Sequence, residues 1–419
     1  MTSQLPWRTL MGMRLSFFIT TLFLTTSVQA SGPDLFGFGG RATGLAGTVV
    51  SHPLGHDAVY HNPAGLLLLT APQVHVGYTY GQLDLNIDDR LQDTHDISAS
   101  MIGVSLPLPL RGALKDTLAL GLGFVIPTNT VLRAYLPRPG TPYFPVEANG
   151  AQTVTLQAAL AYKPVDFLRI GAGFMALSAL NGRIDVAPNS EGRIGSSART
   201  QLVGRYAPIL GIHAQLSHSW GLGLVYRGQS TAEFDLPLNA DLGDGFPLPI
   251  PTLAVHGTAQ FDPRQIEFEL GWRHEDFWLA AGVNWNQWSR FPQPIAYAAR
   301  PDIFEPLPIP DWQDTLEVSL GMEIPWKSVL AGCLRWGYRL VPAPSRSTQP
   351  AHALLTNDRH VVAMGHTLNW HPWHWTIGLQ WHQLMERASR QIPLDAADPV
   401  MYRHQGFLWV ANTEIGLEL

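Results

Sequence analysis

The chain has 419 residues, of which 46% are hydrophobic and 14% are charged, and its formal net charge is −6. Glycine (39), proline (33) and tryptophan (14) are abundant, so the composition disfavours a helical protein and favours an all-β one. The basic residues form no Lys/Arg-rich run, which argues against a nucleic-acid partner. The only cysteine is Cys333, which excludes an intramolecular disulfide bond and a cysteine metal cluster.

The N-terminus has the organisation of a secretory signal peptide. Arg8 and Arg14 lead an apolar stretch, residues 15–28, which ends in the small-x-small sequence Val28-Gln29-Ala30. This stretch is short for a retained membrane helix, which needs roughly 20 apolar residues. We therefore predict that residues 1–30 are a cleaved signal peptide and that the mature chain is exported.

From residue 73 to the C-terminus, segments of about ten residues alternate between apolar and polar side chains. The clearest segment places Leu316, Val318 and Leu320 on one face, and Glu317 and Glu323 on the other. This period of two predicts strands with one apolar and one polar face. The polar faces, which we expect to point inward, carry Gln157, Glu267, Glu269, Arg273, Arg335, Arg339, Asn412 and Glu414.

Short turns alternate with long connections along this region. The short turns lie at 109–116, 163–166, 217–219, 273–276, 325–327 and 371–372. The long connections lie at 84–96, 127–150, 181–198, 230–263, 289–313, 341–357 and 387–404. An even strand count with this alternation is typical of bacterial outer-membrane proteins, so we predict a transmembrane antiparallel β-barrel of about 14 strands at residues 73–419.

Tryptophan and tyrosine residues lie near the ends of the predicted strands. Their amphipathic rings prefer the lipid headgroup level, so we predict an interfacial aromatic belt. Its predicted members are Trp220, Trp278, Trp288, Trp312, Trp326, Trp373, Trp375 and Tyr402.

Residues 31–72 precede the first strand and are rich in glycine and other small residues. A barrel of this strand number has a lumen too wide for strand side chains to fill, because about eight strands already close around a packed interior. We therefore predict that residues 31–72 form a small N-terminal hatch that plugs the lumen.

Two hatch sequences carry a family resemblance. Residues 34–47 read DLFGFGGRATGLAG, and residues 57–66 read DAVYHNPAGL. They resemble the G-x-R-A-x-G and D-A-x-x-x-N-P-A-G-L motifs of the FadL/TodX-type outer-membrane transporters of long-chain fatty acids and hydrophobic compounds. Residues 285–291 and 336–360 are similar to later motifs of this family, so the resemblance covers the whole mature chain. The chain ends in Leu419, where the family usually has an aromatic residue.

The resemblance implies a monomeric barrel in a Gram-negative outer membrane that passively takes up hydrophobic molecules such as fatty acids or aromatic hydrocarbons. In the family, ligand leaves sideways into the bilayer through a gap at a kinked third strand, where Gly121, Gly123 and Pro127 stand here. Glycine and proline weaken strand pairing, although they also simply end strands. The residues that match the family's hatch gate are Asn62, Pro63, Ala64 and Gly65.

Two long connections are unusually apolar for external loops. Folded over the barrel mouth, they would form a groove that captures an apolar ligand. The predicted ligand-binding residues are Leu132, Tyr135, Tyr143, Phe144, Phe234, Leu236 and Phe246.

Histidines cluster in sequence at positions 52–61 and 366–382, but a strand separates successive residues by about 3.3 Å, so we expect no metal site and no cofactor. The sequence contains no G-x-S-x-G elbow, and we expect no enzyme activity. The expected partners are a hydrophobic small molecule and outer-membrane lipids. Two alternatives stay open, a general porin that conducts ions and a structural or secretion-accessory barrel that binds a protein.

Overall fold

The computed structural model describes most of the chain. The described residues are 36–94, 96–128, 142–146, 154–188, 194–240, 253–292, 295–297, 310–326, 332–350, 354–392 and 398–419. Side chains within 178–203 and 232–260 are not described. The predicted signal peptide lies outside these residues.

Three short helices occupy the N-terminal part. They are α1 (Gly40–Gly44), α2 (Ala58–His61) and a 3-10 helix at Pro63–Leu68. The 3-10 helix starts with Pro63, and the Asn62 side chain accepts a hydrogen bond from the Ala64 N–H, which caps it. Within the described part of the chain, no helix is both long and apolar enough to cross a membrane.

The remainder is a closed ring of fourteen antiparallel strands, as predicted. The strands are β1 (Gln73–Ile87), β2 (Ile97–Pro107), β3 (Leu118–Pro127), β4 (Thr155–Val165), β5 (Leu168–Pro188), β6 (Ile194–Gln215), β7 (Trp220–Arg227), β8 (Gln265–His274), β9 (Phe277–Asn286), β10 (Thr315–Trp326), β11 (Gly332–Val341), β12 (Arg359–Trp370), β13 (Trp373–Ile392) and β14 (Val400–Glu418). Each strand pairs with its neighbours in sequence, and every residue of β1 pairs with β14, which closes the barrel.

Burial follows the predicted alternation. In β10, Leu316 is 57% exposed and Leu320 is 53% exposed, whereas Ser319 and Glu323 are each 6% exposed. An exposed apolar face and a buried polar face are the pattern of a barrel whose outer surface faces lipid. The predicted inward residues Gln157, Glu267, Glu269, Arg335, Asn412 and Glu414 are all buried.

The long connections differ from the prediction at three places. Residues 181–198 and 387–404 were predicted as loops, yet most of them extend the β5–β6 and β13–β14 hairpins. Residues 230–263 contain a hairpin of two strands, Ser230–Ala240 and Leu253–Asp262, which is joined to β5 by parallel pairing. Polar residues alternating with apolar ones can pair as strands beyond the bilayer, so polarity alone did not mark a loop.

The aromatic belt is only partly as predicted. Trp220, Trp326, Trp373 and Trp375 are exposed, as an interfacial belt requires. Four predicted members belong elsewhere, because the structure packs them against other groups. Tyr402 is half-buried and packs against the apolar cluster that contains Phe36 and Leu85. Trp278 is 3% exposed on the inner face, and Trp288 and Trp312 pack in an aromatic cluster with Phe261 and Phe291 at the long-loop end.

Candidate functional site: the hatch and the wall it contacts

Residues 36–68, here called the hatch, contact the inner wall all round the ring. At eleven wall glycines, a Cβ atom would lie within 3.0 Å of a hatch atom. This glycine ring consists of Gly103, Gly121, Gly123, Gly171, Gly211, Gly223, Gly271, Gly321, Gly337, Gly365 and Gly378. The wall and the hatch therefore approach each other at a distance that excludes larger side chains.

Asn62 lies at one of the close approaches between the wall and the hatch. Its side-chain amide donates to the backbone oxygens of Val50, at 2.9 Å, and of Ile212 in β6, at 3.0 Å. The Asn62 side chain lies against Gly211, and Pro63 and Ala64 lie against Gly171 in the neighbouring strand. Asn62 is fully buried, so these hydrogen bonds satisfy a polar group that would be costly to leave unpaired.

Three wall carboxylates also bind the hatch. Glu323 forms a bidentate ion pair with Arg41, at 3.0 and 2.9 Å, and also accepts from Arg335 at 2.6 Å. Glu414 accepts from the Gly40 N–H at 3.1 Å. Glu269 accepts three hydrogen bonds from the hatch, from the N–H groups of Val50 and Ser51 and from the Ser51 hydroxyl.

Replacing Glu269 by Gln is expected to loosen the hatch locally. The glutamine amide has only one acceptor oxygen, and its NH₂ group would face the N–H donors of the hatch. Each hydrogen bond to a charged group contributes about 1.5–3 kcal/mol, so losing one loosens this contact. Amide hydrogen exchange at Val50 and Ser51 should accelerate by about tenfold or more. Glu275→Gln, in the exposed turn after β8, makes the same change of charge without a hatch contact and should leave exchange at both amides unchanged. Equal exchange in both variants would show that Glu269 does not hold the hatch.

Burial shapes the ionisation of hatch residues. Desolvation lowers the pKa of His61 well below its ordinary value, and the nearby Arg227 guanidinium lowers it further. A neutral ring agrees with the hydrogen bond that His61 Nε2 accepts from the Phe38 N–H at 3.2 Å. Desolvation raises the pKa of Asp57 to about 7, against the opposing charge of Arg41. The docked hatch therefore favours a neutral Asp57 carboxyl group up to about that pH.

The predicted lateral opening lies where two wall glycines contact the hatch. Gly121 and Gly123 both face inward, against Leu66 and against Phe38 and Val59 of the hatch. Pro127 is the last residue of β3 and stands opposite Ala99 in β2. In this structure β3 pairs with β2 and with β4 without a register shift.

The predicted ligand-binding residues fall into separate places. Tyr143 packs in the aromatic cluster with Phe261, Phe291, Trp312 and Leu354. Phe144 instead packs with Phe36 of the hatch and with Leu85, Leu355 and Leu384. Phe234 and Leu236 lie in the strand Ser230–Ala240, where side chains are not described, and Leu132, Tyr135 and Phe246 lie outside the described residues.

Sequence reasoning missed two parts of the hatch contact. The glycine ring was not predicted, although glycines on the inward face within strands, such as Gly321 between Ser319 and Glu323, were a visible signal. The partner of Glu323 was also missed, because Arg41 lies 282 residues away and its contact follows only from the closed barrel.

Comparison with known proteins agrees with this architecture. A sequence model of the family described as outer membrane protein transport protein (OMPP1/FadL/TodX) matches residues 21–389. No match was found among curated protein sequences.

Solved structures share the fold at low sequence identity. The crystal structure of a Pseudomonas aeruginosa FadL homologue aligns with a TM-score of 0.65 at 14% identity, covering 94% of this chain and 99% of that chain. The Pseudomonas putida toluene transporter TodX aligns with a TM-score of 0.59 at 16% identity, covering 92% and 99%. The Ralstonia pickettii toluene transporter TbuX aligns with a TM-score of 0.55 at 15% identity, covering 91% and 98%. The resemblance seen in the hatch motifs is thus confirmed over most of the sequence, and the chain belongs to the OMPP1/FadL/TodX family of outer-membrane transport proteins.

Proposed function

We propose that this protein takes up hydrophobic small molecules, long-chain fatty acids or aromatic hydrocarbons, across the outer membrane of a Gram-negative bacterium. Ligand is captured at the long-loop end, passes the hatch, and leaves sideways through the wall at β3. In this proposal residues 31–72 are the hatch, residues 73–419 are the monomeric barrel, and residues 1–30 are removed on export.

An apolar groove on the outside of the barrel carries the proposal. It has a volume of about 320 Å³ and crosses β2 to β5. Its lining is formed by Val104, Leu106, Leu120, Gly121, Leu122, Ala158, Ala159, Leu160, Ala172, Gly173 and Phe174. Several of these residues are exposed on the outer face, so the groove is open to lipid acyl chains.

The inner side of the same wall is also apolar. Phe38, Val59 and Leu66 of the hatch pack there against Met101 and Val125, all of them buried. Gly121 lines the outer groove, and a Cβ atom at Gly121 would lie 2.7 Å from the Leu66 side chain. One glycine therefore separates the apolar side of the hatch from the lipid-facing groove.

Asn62 is placed to couple the hatch to this route. Its hydrogen bond to Ile212 and the contact of Pro63 with Gly171 fix the start of the 3-10 helix that carries Leu66. In the proposed mechanism, ligand displaces this helix from β5 and β6, Leu66 leaves Gly121, and the β3 ladder opens. Gly123 and Pro127 assist because neither adds strong pairing to that ladder.

The ligand class follows from the lining and from the relatives. The groove contains no charged side chain, which suits hydrocarbons and acyl chains. Proteins of similar structure are described as toluene transporters and as a monoaromatic hydrocarbon channel. Family members are transport proteins or channels rather than enzymes.

Locking the wall at β3 should abolish uptake. Leu122 in β3 stands opposite Ala158 in β4, so Leu122→Cys with Ala158→Cys, in a Cys333→Ser background, can form a cross-strand disulfide. The oxidised protein should lose most uptake of radiolabelled toluene or oleate by intact cells, and a reductant should restore it. A second lock joins Val104→Cys to Leu122→Cys across β2 and β3.

The matched control lies on the opposite wall. Ala281→Cys in β9 and Leu320→Cys in β10 are also opposite each other and face outward, so the same bond forms away from the groove. Uptake should persist in the oxidised control. Full uptake in both oxidised β3 locks would refute lateral release at this strand.

A further inference from the structure

We propose that the protein carries a Zn²⁺ site whose ligands are His56 of the hatch, His75 of β1 and Glu414 of β14. These residues come from three distant parts of the sequence, and barrel closure brings them together. The site lies at the β14–β1 seam and is separate from the route proposed for hydrophobic molecules.

The geometry suits a small divalent cation. His56 Nε2 lies 3.4 Å from Glu414 Oε2, and His75 Nδ1 lies 3.9 Å from Glu414 Oε1. One ligand atom from each of the three residues lies within 4.8 Å of the others. A tetrahedral zinc ion with bonds near 2.0 Å places its ligand atoms about 3.3 Å apart. The site would therefore be complete if Glu414 moved by a few tenths of an ångström and the His56 and His75 rings moved somewhat more.

The His75 ring is oriented so that one of its nitrogens can bind a metal ion. His75 Nε2 lies 3.2 Å from the Gln73 side-chain oxygen. We therefore assign the ring proton to Nε2, which leaves Nδ1 with its lone pair. His75 Nδ1 is buried and has no hydrogen-bond partner among the described residues. An imidazole oriented by a second residue, with its other nitrogen unpaired and aimed at a histidine and a carboxylate, is typical of metal ligation.

The surroundings fix the other two ligands. The His56 ring sits against Gly103 of β2, where a Cβ atom would collide with it. Glu414 Oε2 also accepts from the Gly40 N–H at 3.1 Å, which orients the carboxylate toward the hatch. The ring centroid of His374 lies 4.7 Å from that of His75, so a fourth ligand is available from His374 or from water.

An ion can reach this position from the short-turn end. The three ligands line a cavity of about 730 Å³, which extends to Glu275 and Asp276 in the exposed turn after β8. Bound zinc would join the hatch directly to the two strands that close the barrel. It would therefore stabilise the docked hatch, because an ion that binds only the docked state favours that state by mass action.

Zinc binding to the full mature protein tests the proposal. Protein purified in detergent without a histidine tag is titrated with ZnCl₂ by calorimetry, and Co²⁺ serves as an absorption probe. We expect one high-affinity Zn²⁺ per chain, with micromolar affinity or tighter, and slower amide exchange in the hatch when zinc is bound. His56→Gln and His75→Gln should each weaken binding by on the order of 100-fold, and Gln73→Ala by about tenfold.

His382→Gln is the matched control, since His382 is a buried wall histidine that bonds Gln380 and lies outside the cluster. It should bind zinc as the unaltered protein does. Heat-modifiable electrophoretic migration confirms that each variant is a folded barrel. Binding only at millimolar zinc, or equal affinity in the His75→Gln and His382→Gln variants, would overturn the proposal. Uptake measurements do not enter this test, so its outcome is independent of the transport route.

Discussion

Removal of hatch residues 36–68 should convert a closed barrel into an ion-conducting pore. The hatch contacts wall residues on strands from β2 to β14, and fourteen strands enclose a lumen that their own side chains do not fill. In planar bilayers the deletion variant should show steady conductance larger by about an order of magnitude or more than that of the unaltered protein. Because Glu269 and Glu414 lose their hatch donors, we expect the open pore to prefer cations.

The matched deletion removes the hairpin at residues 230–262, which lies outside the ring of barrel strands and leaves the hatch in place. Its conductance should stay low. A large steady current from the unaltered protein would instead favour a general porin, and low conductance after hatch deletion would contradict a hatch that plugs the lumen.

Gly211→Leu should displace the hatch at its gate. The Asn62 side chain already occupies the position of a Cβ atom at Gly211, so a leucine can fit only if Asn62 and Pro63 move. Inserting side-chain atoms into a packed contact costs about 1–3 kcal/mol. Loss of each Asn62 hydrogen bond adds about 1 kcal/mol. We expect faster hydrogen exchange at the Ala64 amide, which Asn62 caps, and more frequent channel openings.

Gly204→Leu is the control on the same strand. Gly204 is exposed and faces outward, where a Cβ atom would lie 3.1 Å from the Tyr206 hydroxyl, so the added side chain meets this exposed ring rather than the hatch. It should leave the Ala64 amide protected. If Gly211→Leu also leaves that amide protected, the hatch does not depend on the close approach of β6.

The barrel was predictable because its signals are local. Alternation in residues such as Leu316 and Glu317 fixes the face of a strand, and short turns fix which strands are neighbours. The β5–β6 hairpin exceeded the predicted strands because pairing beyond the bilayer leaves no hydrophobic signal. Trp278 was assigned to the wrong face because it lies near a strand end. It lies two residues from Ala280, and both side chains face inward.

The site was less predictable because its contacts are not local. The hatch motif was recognised, including Asn62, but its partner is the backbone oxygen of Ile212, which no side-chain pattern marks. Likewise His75 and Glu414 lie at opposite ends of the barrel sequence, and they meet only because β1 pairs with β14. The sequence clusters at positions 52–61 and 366–382 contain His56 and His374, but spacing along the chain does not show that both lie beside His75.

The glycine ring also constrains the size of the barrel. Ten strands contact the hatch at glycines, where no side chain fills the space between the wall and the hatch. The size of the hatch therefore sets the circumference of the wall. Duplication of one hairpin would add two strands and enlarge the circumference, as the diameter of a barrel grows with strand number. The wall would then stand away from the hatch on every side. A barrel of this design can change its strand count only if the hatch changes with it.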